Sequence, residues 1–213
     1  MRYFSQTLSW LFLPLFVPIY VLLLILFDPS NLDFYFNPDA RWALLKMFLI
    51  FFTFAPGLTM IFMRRYQLIQ TIEMDDQKDR FGPLFIVALY SSAAFGLFYV
   101  KDEMHLLPIY IYLLPIIGLV NALVFFGFNF WIKISLHSGT MGMAVGFLFV
   151  HAYQYSFFPK IYLIWAILAS GLVIGARLQL RKHTSLESYL GWLVGFGATI
   201  ILSSLGYTLI NSI

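Results

Sequence analysis

Arg177 stands six residues before His183, and Glu187 four residues after it, in the stretch Arg177-Leu178-Gln179-Leu180-Arg181-Lys182-His183-Thr184-Ser185-Leu186-Glu187. A carboxylate near an imidazole can hold one ring nitrogen, fix the tautomer and leave the other nitrogen free to attack. A second group, Lys133-Ile134-Ser135-Leu136-His137-Ser138-Gly139, leads into an apolar segment. A helix starting there offers unpaired N–H groups and a positive dipole end, a ready anion site to which Ser135 and Lys133 add donors. A third group, Lys78-Asp79-Arg80-Phe81-Gly82-Pro83, places two cations just before another helix start. The chemistry these residues suit is a histidine nucleophile beside a bound anion.

Such residues need a scaffold, and composition says which kind. The chain has 213 residues, 61% hydrophobic and 11% charged, with a mean hydropathy of +0.84. A soluble domain of this size needs more polar residues to cover its outside, so lipid is expected around most of the surface. With no cysteine, disulfides, thiolate metal sites and cysteine nucleophiles are excluded. A net charge of +3 with no Lys/Arg-rich run gives no footprint for nucleic acid.

A spanning helix needs roughly 20 mostly apolar residues. Seven segments qualify or come close: about 8–27, 42–63, 83–100, 108–129, 138–156, 160–176 and 186–210. The first is read as a retained helix rather than a cleaved signal, because it is long and lacks a small-residue cleavage site. The expectation is one all-α integral membrane domain over residues 1–213, a polytopic bundle of about seven spans. Gly142 with Gly146, Gly171 with Gly175, and Gly191 with Gly195 are expected to form three small-residue packing seams.

Because each span reverses the side of the membrane, the N-terminus, the 64–82 loop, the 130–137 turn and the 177–185 turn share a face. That face holds Arg2, Arg64, Arg65, Lys78, Arg80, Lys133, Arg177, Arg181 and Lys182, nine of the thirteen basic residues. The positive-inside rule puts it in the cytoplasm.

With the order, spacing and common face of the three groups in view, the pattern resembles the type 2 phosphatidic acid phosphatase (PAP2) superfamily, integral membrane lipid phosphatases. Arg177 and His183 match that family's third motif at full spacing, with Glu187 where the family has aspartate. Ser135 and His137 match the second motif, with Ile134 and Leu136 replacing its proline and glycine. Arg80 stands for the arginine of the first motif, whose lysine position is occupied by Glu73; Lys78 or Lys133 is left to supply that cation. The resemblance covers about residues 64–210 and implies a six-helix core.

It also implies a metal-free, cofactor-free hydrolase. His183 is the expected nucleophile, forming a phosphohistidine, with Glu187 orienting its ring. Arg80, Arg177, Ser135 and Lys133 or Lys78 are the expected phosphate ligands. His137 is expected to protonate the leaving oxygen and then activate water. The implied substrate is a lipid phosphate or diphosphate drawn from the bilayer, of the phosphatidate, phosphatidylglycerophosphate or polyprenyl-diphosphate class. The alternative is a non-catalytic lipid-binding or transport protein of the same fold.

Several residues carry plainer readings. Thr184-Ser185-Leu186-Glu187 is a capping-box pattern, a role that can coexist with holding His183. Arg181 and Lys182 read as headgroup contacts or orientation signals. His151 reads as a packed, hydrogen-bonded histidine facing other helices. Asp75, Asp76 and Asp79 read as a solvated acidic turn, and Trp42, Trp131 and Tyr162 as interface aromatics.

Overall fold

The computed structural model describes residues 2–28, 38–71, 74, 76–102 and 107–211. Glu73, Asp75 and His105 lie outside the described residues. Among the described residues every regular element is helical.

The first expected span, 8–27, is two short helices. Helix α1, Arg2–Leu11, ends before Pro14, and α2, Val17–Leu26, begins with Pro18 in its first turn. Proline disfavours helical backbone in the residue before it, and Leu13 is non-helical. At ten residues α2 is ~15 Å long, about half of a hydrocarbon core. Helix α1 is also inverted relative to a water-soluble surface helix. It buries Ser5 and Ser9 and exposes Tyr3, Phe4, Trp10 and Leu11.

Helix α3 runs from Pro38–Leu49 through a π-helical turn, Ile50–Phe54, into Ala55–Arg65. Pro56 has no N–H for the carbonyl one turn back, and the ladder widens just before it, with Ala55 N–H donating to the Ile50 carbonyl. This turn is also tied to the α1–α2 connection: Thr53 Oγ1 donates to the Leu15 carbonyl at 2.9 Å.

Helix α4, Phe81–Lys101, follows a single 3₁₀ turn, Lys78–Arg80. Helices α5, Ile109–Phe128, α6, Leu136–Gln154, α7, Ile161–Gln179, and α8, Ser185–Asn211, complete the bundle. Five stretches are long and apolar enough to cross a membrane: Asp39–Arg65, Lys78–Lys101, Ile109–Phe128, Ile161–Gln179 and Ser185–Thr208. These are the marks of a membrane protein.

Helix α6, the fifth span expected from sequence, is the interior rod. Most of its side chains are buried, so it tolerates glycine, serine and histidine that a lipid-facing helix would replace with larger apolar residues. Its closest partner is α8. A Cβ at Gly142 would lie 2.2 Å from the Trp192 carbonyl oxygen, and one at Gly195 would lie 2.2 Å from that of Gly139. Only glycine permits that approach, so two of the three expected small-residue pairs form one seam. The third does not: Gly171 and Gly175 have nothing within 4 Å, and α7 presents that face outward.

Candidate functional site

The α7–α8 connection is a compact reversal. Arg181 adopts φ 55°, Arg181 N–H donates to the Leu178 carbonyl at 3.0 Å, and Lys182 N–H to that of Arg177 at 3.2 Å. This is the left-handed cap that usually takes glycine. It folds the chain back so that His183, six residues on, returns over Arg177. The capping box then starts α8: Glu187 Oε2 accepts from Thr184 N–H at 3.1 Å, and Glu187 N–H donates to Thr184 Oγ1 at 3.2 Å.

The same Oε2 lies 2.8 Å from His183 Nδ1, so the capping and orienting roles of Glu187 coexist in one side chain. The other ring nitrogen, Nε2, is 3.3 Å from Arg80 Nη2. A carboxylate in this contact accepts and a guanidinium only donates, which fixes the tautomer: the proton is on Nδ1 and the lone pair on Nε2. Burial pushes the His183 ring down to about 4 from the ordinary 6.5. The Glu187 hydrogen bond opposes this, while the Arg80 and Arg177 charges reinforce it. At neutral pH the imidazole is therefore unprotonated, as a nucleophile must be.

Arg80 is buried and joins three segments. Its Nε donates to the Met74 carbonyl at 3.1 Å and its Nη1 to the Ile134 carbonyl at 2.6 Å, in addition to the His183 contact. The loop that delivers it is pinned by Asp79 Oδ2 accepting from Gln70 N–H at 2.9 Å, and by a reciprocal pair between Gln77 and Asn129. Asp79 is thus a buried structural acceptor, contrary to the solvated reading; Asp76 is exposed.

Ser135 caps α6, its Oγ accepting from Ser138 N–H at 3.3 Å and from Ser138 Oγ at 3.1 Å. Its own N–H donates to the Glu187 carbonyl at 3.0 Å, which locks the start of α6 to the start of α8. His137, the second residue of α6, bonds to the backbone of Ser9 in α1. Its Nε2 is buried without a protein partner. Ser9 Oγ also accepts from Arg177 Nη1, at 3.5 Å. Ser5 Oγ donates to Gln179 at 2.5 Å. Helix α1 turns its serines inward because Arg177, Gln179 and His137 are there to meet them.

Arg80, His137, Arg177 and His183 line one cavity of about 490 Å³. Ser135 does not line it, its hydroxyl being taken by the cap, nor do Lys78, which is exposed, or Lys133. Glu187 acts from behind His183. Ser9, Arg64 and Lys182 also border this cavity and were not expected there. Arg64, which is exposed, and Lys182, which is half-buried, look like orientation signals in sequence because nothing local marks which cations border a cavity. Ser9 has no sequence signal beyond the polar stripe of α1. Beyond the cations the cavity continues between Leu13, Pro18, Phe52, Met60, Leu84 and Phe125, an apolar body behind a charged end.

His151 sits toward the other end of α6, with Nδ1 2.8 Å from Tyr207 Oη and a surround of Tyr110, Phe147, Tyr155 and Phe158 rings. It is a packed, hydrogen-bonded histidine facing neighbouring helices. No family model, no curated protein and no solved structure matches this chain.

Proposed function

We propose that the chain is a membrane lipid phosphatase working through a phosphohistidine, of the type to which its motifs bear resemblance. The observation that carries this reading is His183 held between Glu187 and Arg80, with its ring on a cavity shared with His137 and Arg177. Nε2, released as the Arg80 donor turns to a phosphoryl oxygen, attacks phosphorus while the bond to the lipid oxygen breaks; that oxygen takes a proton from His137, whose Nε2 first accepts it from the phosphate monoanion. Water then attacks phosphorus, giving a proton to His137 as the P–N bond breaks; phosphate leaves, and the lone pair returns to Nε2. Arg80 and Arg177 hold the phosphoryl oxygens through both steps, with Lys182 and Arg64 at the same cavity. The apolar body of the cavity supports a lipid rather than a soluble ester as the leaving group. The site-bearing face is assigned to the cytoplasm on the basis of the charge bias alone.

The rival, a lipid-binding or transport protein without turnover, is favoured by one observation. Two of the donors on Arg80 are already given to the Met74 and Ile134 carbonyls. The discriminating experiment uses the purified full chain with phosphatidate, phosphatidylglycerophosphate and a polyprenyl diphosphate. Phosphate release, with an acid-labile phosphoryl group trapped on His183, is the expected result. Release that continues at full rate in His183→Ala sinks the catalytic reading.

A further inference from the structure

Two buried polar atoms without a protein partner line the same cavity far from its charged end: Ser91 Oγ and Asn121 Oδ1. Both residues are 1% exposed. Ser91 lies ~16 Å along α4 from Arg80, at the depth of the apolar core. Its neighbour Ser92 makes the ordinary back-bond of a helical serine, Oγ to the Ala88 carbonyl at 2.9 Å, whereas Ser91 makes none and faces the cavity.

The orientation of the Asn121 amide is fixed, because Nδ2 donates to the Ile117 carbonyl at 3.0 Å and to Thr199 Oγ1 at 3.2 Å. A carbonyl oxygen only accepts, so the atom facing it is the amide nitrogen, and Oδ1 is left as an acceptor. Ser91 packs against α5 one turn from Asn121. Ser91 Oγ is 2.8 Å from where a Cβ at Gly118 would stand, and Gly118 is one turn before Asn121 on α5.

We infer that the deep end of the cavity is a hydrogen-bonding subsite for a hydroxyl carried partway along the hydrocarbon chain of the ligand. A hydroxyl satisfies both atoms, accepting from Ser91 O–H and donating to Asn121 Oδ1. An ester or keto carbonyl cannot, since it offers Asn121 no proton. A plain alkyl or polyprenyl chain leaves both atoms unpaired, at a desolvation penalty that disfavours its binding.

The inference rests on the proposed lipid ligand, but its test does not depend on turnover. In a His183→Ala background, two lysophosphatidates are compared by competition against a fluorescent lipid phosphate. One carries an octadecanoyl chain and the other the same chain with a mid-chain hydroxyl. The hydroxylated lipid is expected to bind about tenfold tighter, the scale of one to two recovered buried hydrogen bonds. Ser91→Ala and Asn121→Leu should each bring the ratio toward one. If Asn121→Leu fails to fold through loss of its Thr199 contact, Ser91→Ala decides. Equal binding of the two lipids means that a trapped water already serves the pair, and overturns the inference; so does a ratio unmoved by Ser91→Ala. Phosphate release by the wild-type chain is scored separately, so either reading can fail while the other stands.

Discussion

Arg80 Nη2 lies 3.3 Å from His183 Nε2 across a sequence separation of 103 residues. The same guanidinium holds the Ile134 carbonyl, one residue before the cap of α6. It therefore registers the starts of α4, α6 and α8 against one another and holds the His183 lone pair as an acceptor. Lysine carries the charge but lacks the planar fork. Arg80→Lys should lower phosphate release at least 100-fold, the scale for loss of one preorganised donor to a transition-state oxyanion. Steady-state assay checks this, and retention of more than a tenth of the wild-type rate would show that the fork is not needed.

The acid limb of the pH profile should be displaced. Burial, reinforced by the two arginines, sets the His183 ring at about 4 against 6.5 in the unfolded chain. Because the folded value is the lower one, the unfolded chain binds the proton more readily between those values. The stabilisation from this ring is whole above pH 6.5 and is lost as pH falls toward 4. Histidine-detected NMR of the free protein should find ring 183 neutral at pH 5.5. Arg80→Gln should raise the midpoint by removing a repelling charge, and Glu187→Gln should lower it by removing the favourable one. Shifts of the opposite sign would mean that the ring is not controlled by these two partners.

Glu187 serves two masters through one oxygen, so its variants should separate them. Glu187→Gln keeps a side chain that can still accept from Thr184 N–H, and stability should change little while phosphate release falls. Glu187→Ala removes the cap as well, at about 0.5–2 kcal/mol. Thermal unfolding alongside activity tests this, and equal stability of the two variants would remove the capping role.

Arg181 occupies a left-handed position at φ 55° with its side chain exposed. Arg181→Gly should stabilise the chain by about 1 kcal/mol, because glycine adopts that backbone without the Cβ penalty. Chemical denaturation measures it; a loss of stability would show that the guanidinium makes a contact worth more than the strain.

Legibility in the sequence followed the range of the interaction. The Arg177–His183–Glu187 geometry is local, set by one cap and one capping box, and could be read from spacing. Hydropathy marked the long helices because lipid contact writes itself into every exposed side chain. Two kinds of feature were opaque. The polar face of α1 is complementary to residues more than 120 positions away, so reading its last residues as the start of a span concealed its place over the site. The placing of Lys182 and Arg64 at the cavity, and the use of Ser135 in its own cap, depend on rotations about helix axes that residue type does not encode. For the glycines, spacing alone could not separate a seam from an open face, since four-residue periodicity is the same in both.

That last distinction gives a paired prediction. At Gly142 an added Cβ would lie 2.2 Å from the Trp192 carbonyl oxygen, a backbone atom that cannot rotate away, whereas at Gly171 it meets open space. Gly142→Ala must push α6 and α8 apart, at about 1–3 kcal/mol by the overpacking scale. Gly171→Ala should be neutral or slightly stabilising, because alanine is the better helix former. The consequence for the site is larger than that for stability. Ser135 at the head of α6 and Glu187 at the head of α8 are joined by one backbone hydrogen bond of 3.0 Å, and His137 and His183 ride on those two helix starts. Separating the helices therefore moves the two imidazoles relative to each other. Gly142→Ala should lose activity out of proportion to its thermal shift, while Gly171→Ala keeps both. If Gly142→Ala unfolds at the wild-type temperature with full phosphate release, the α6–α8 seam is not what holds the two histidines in place.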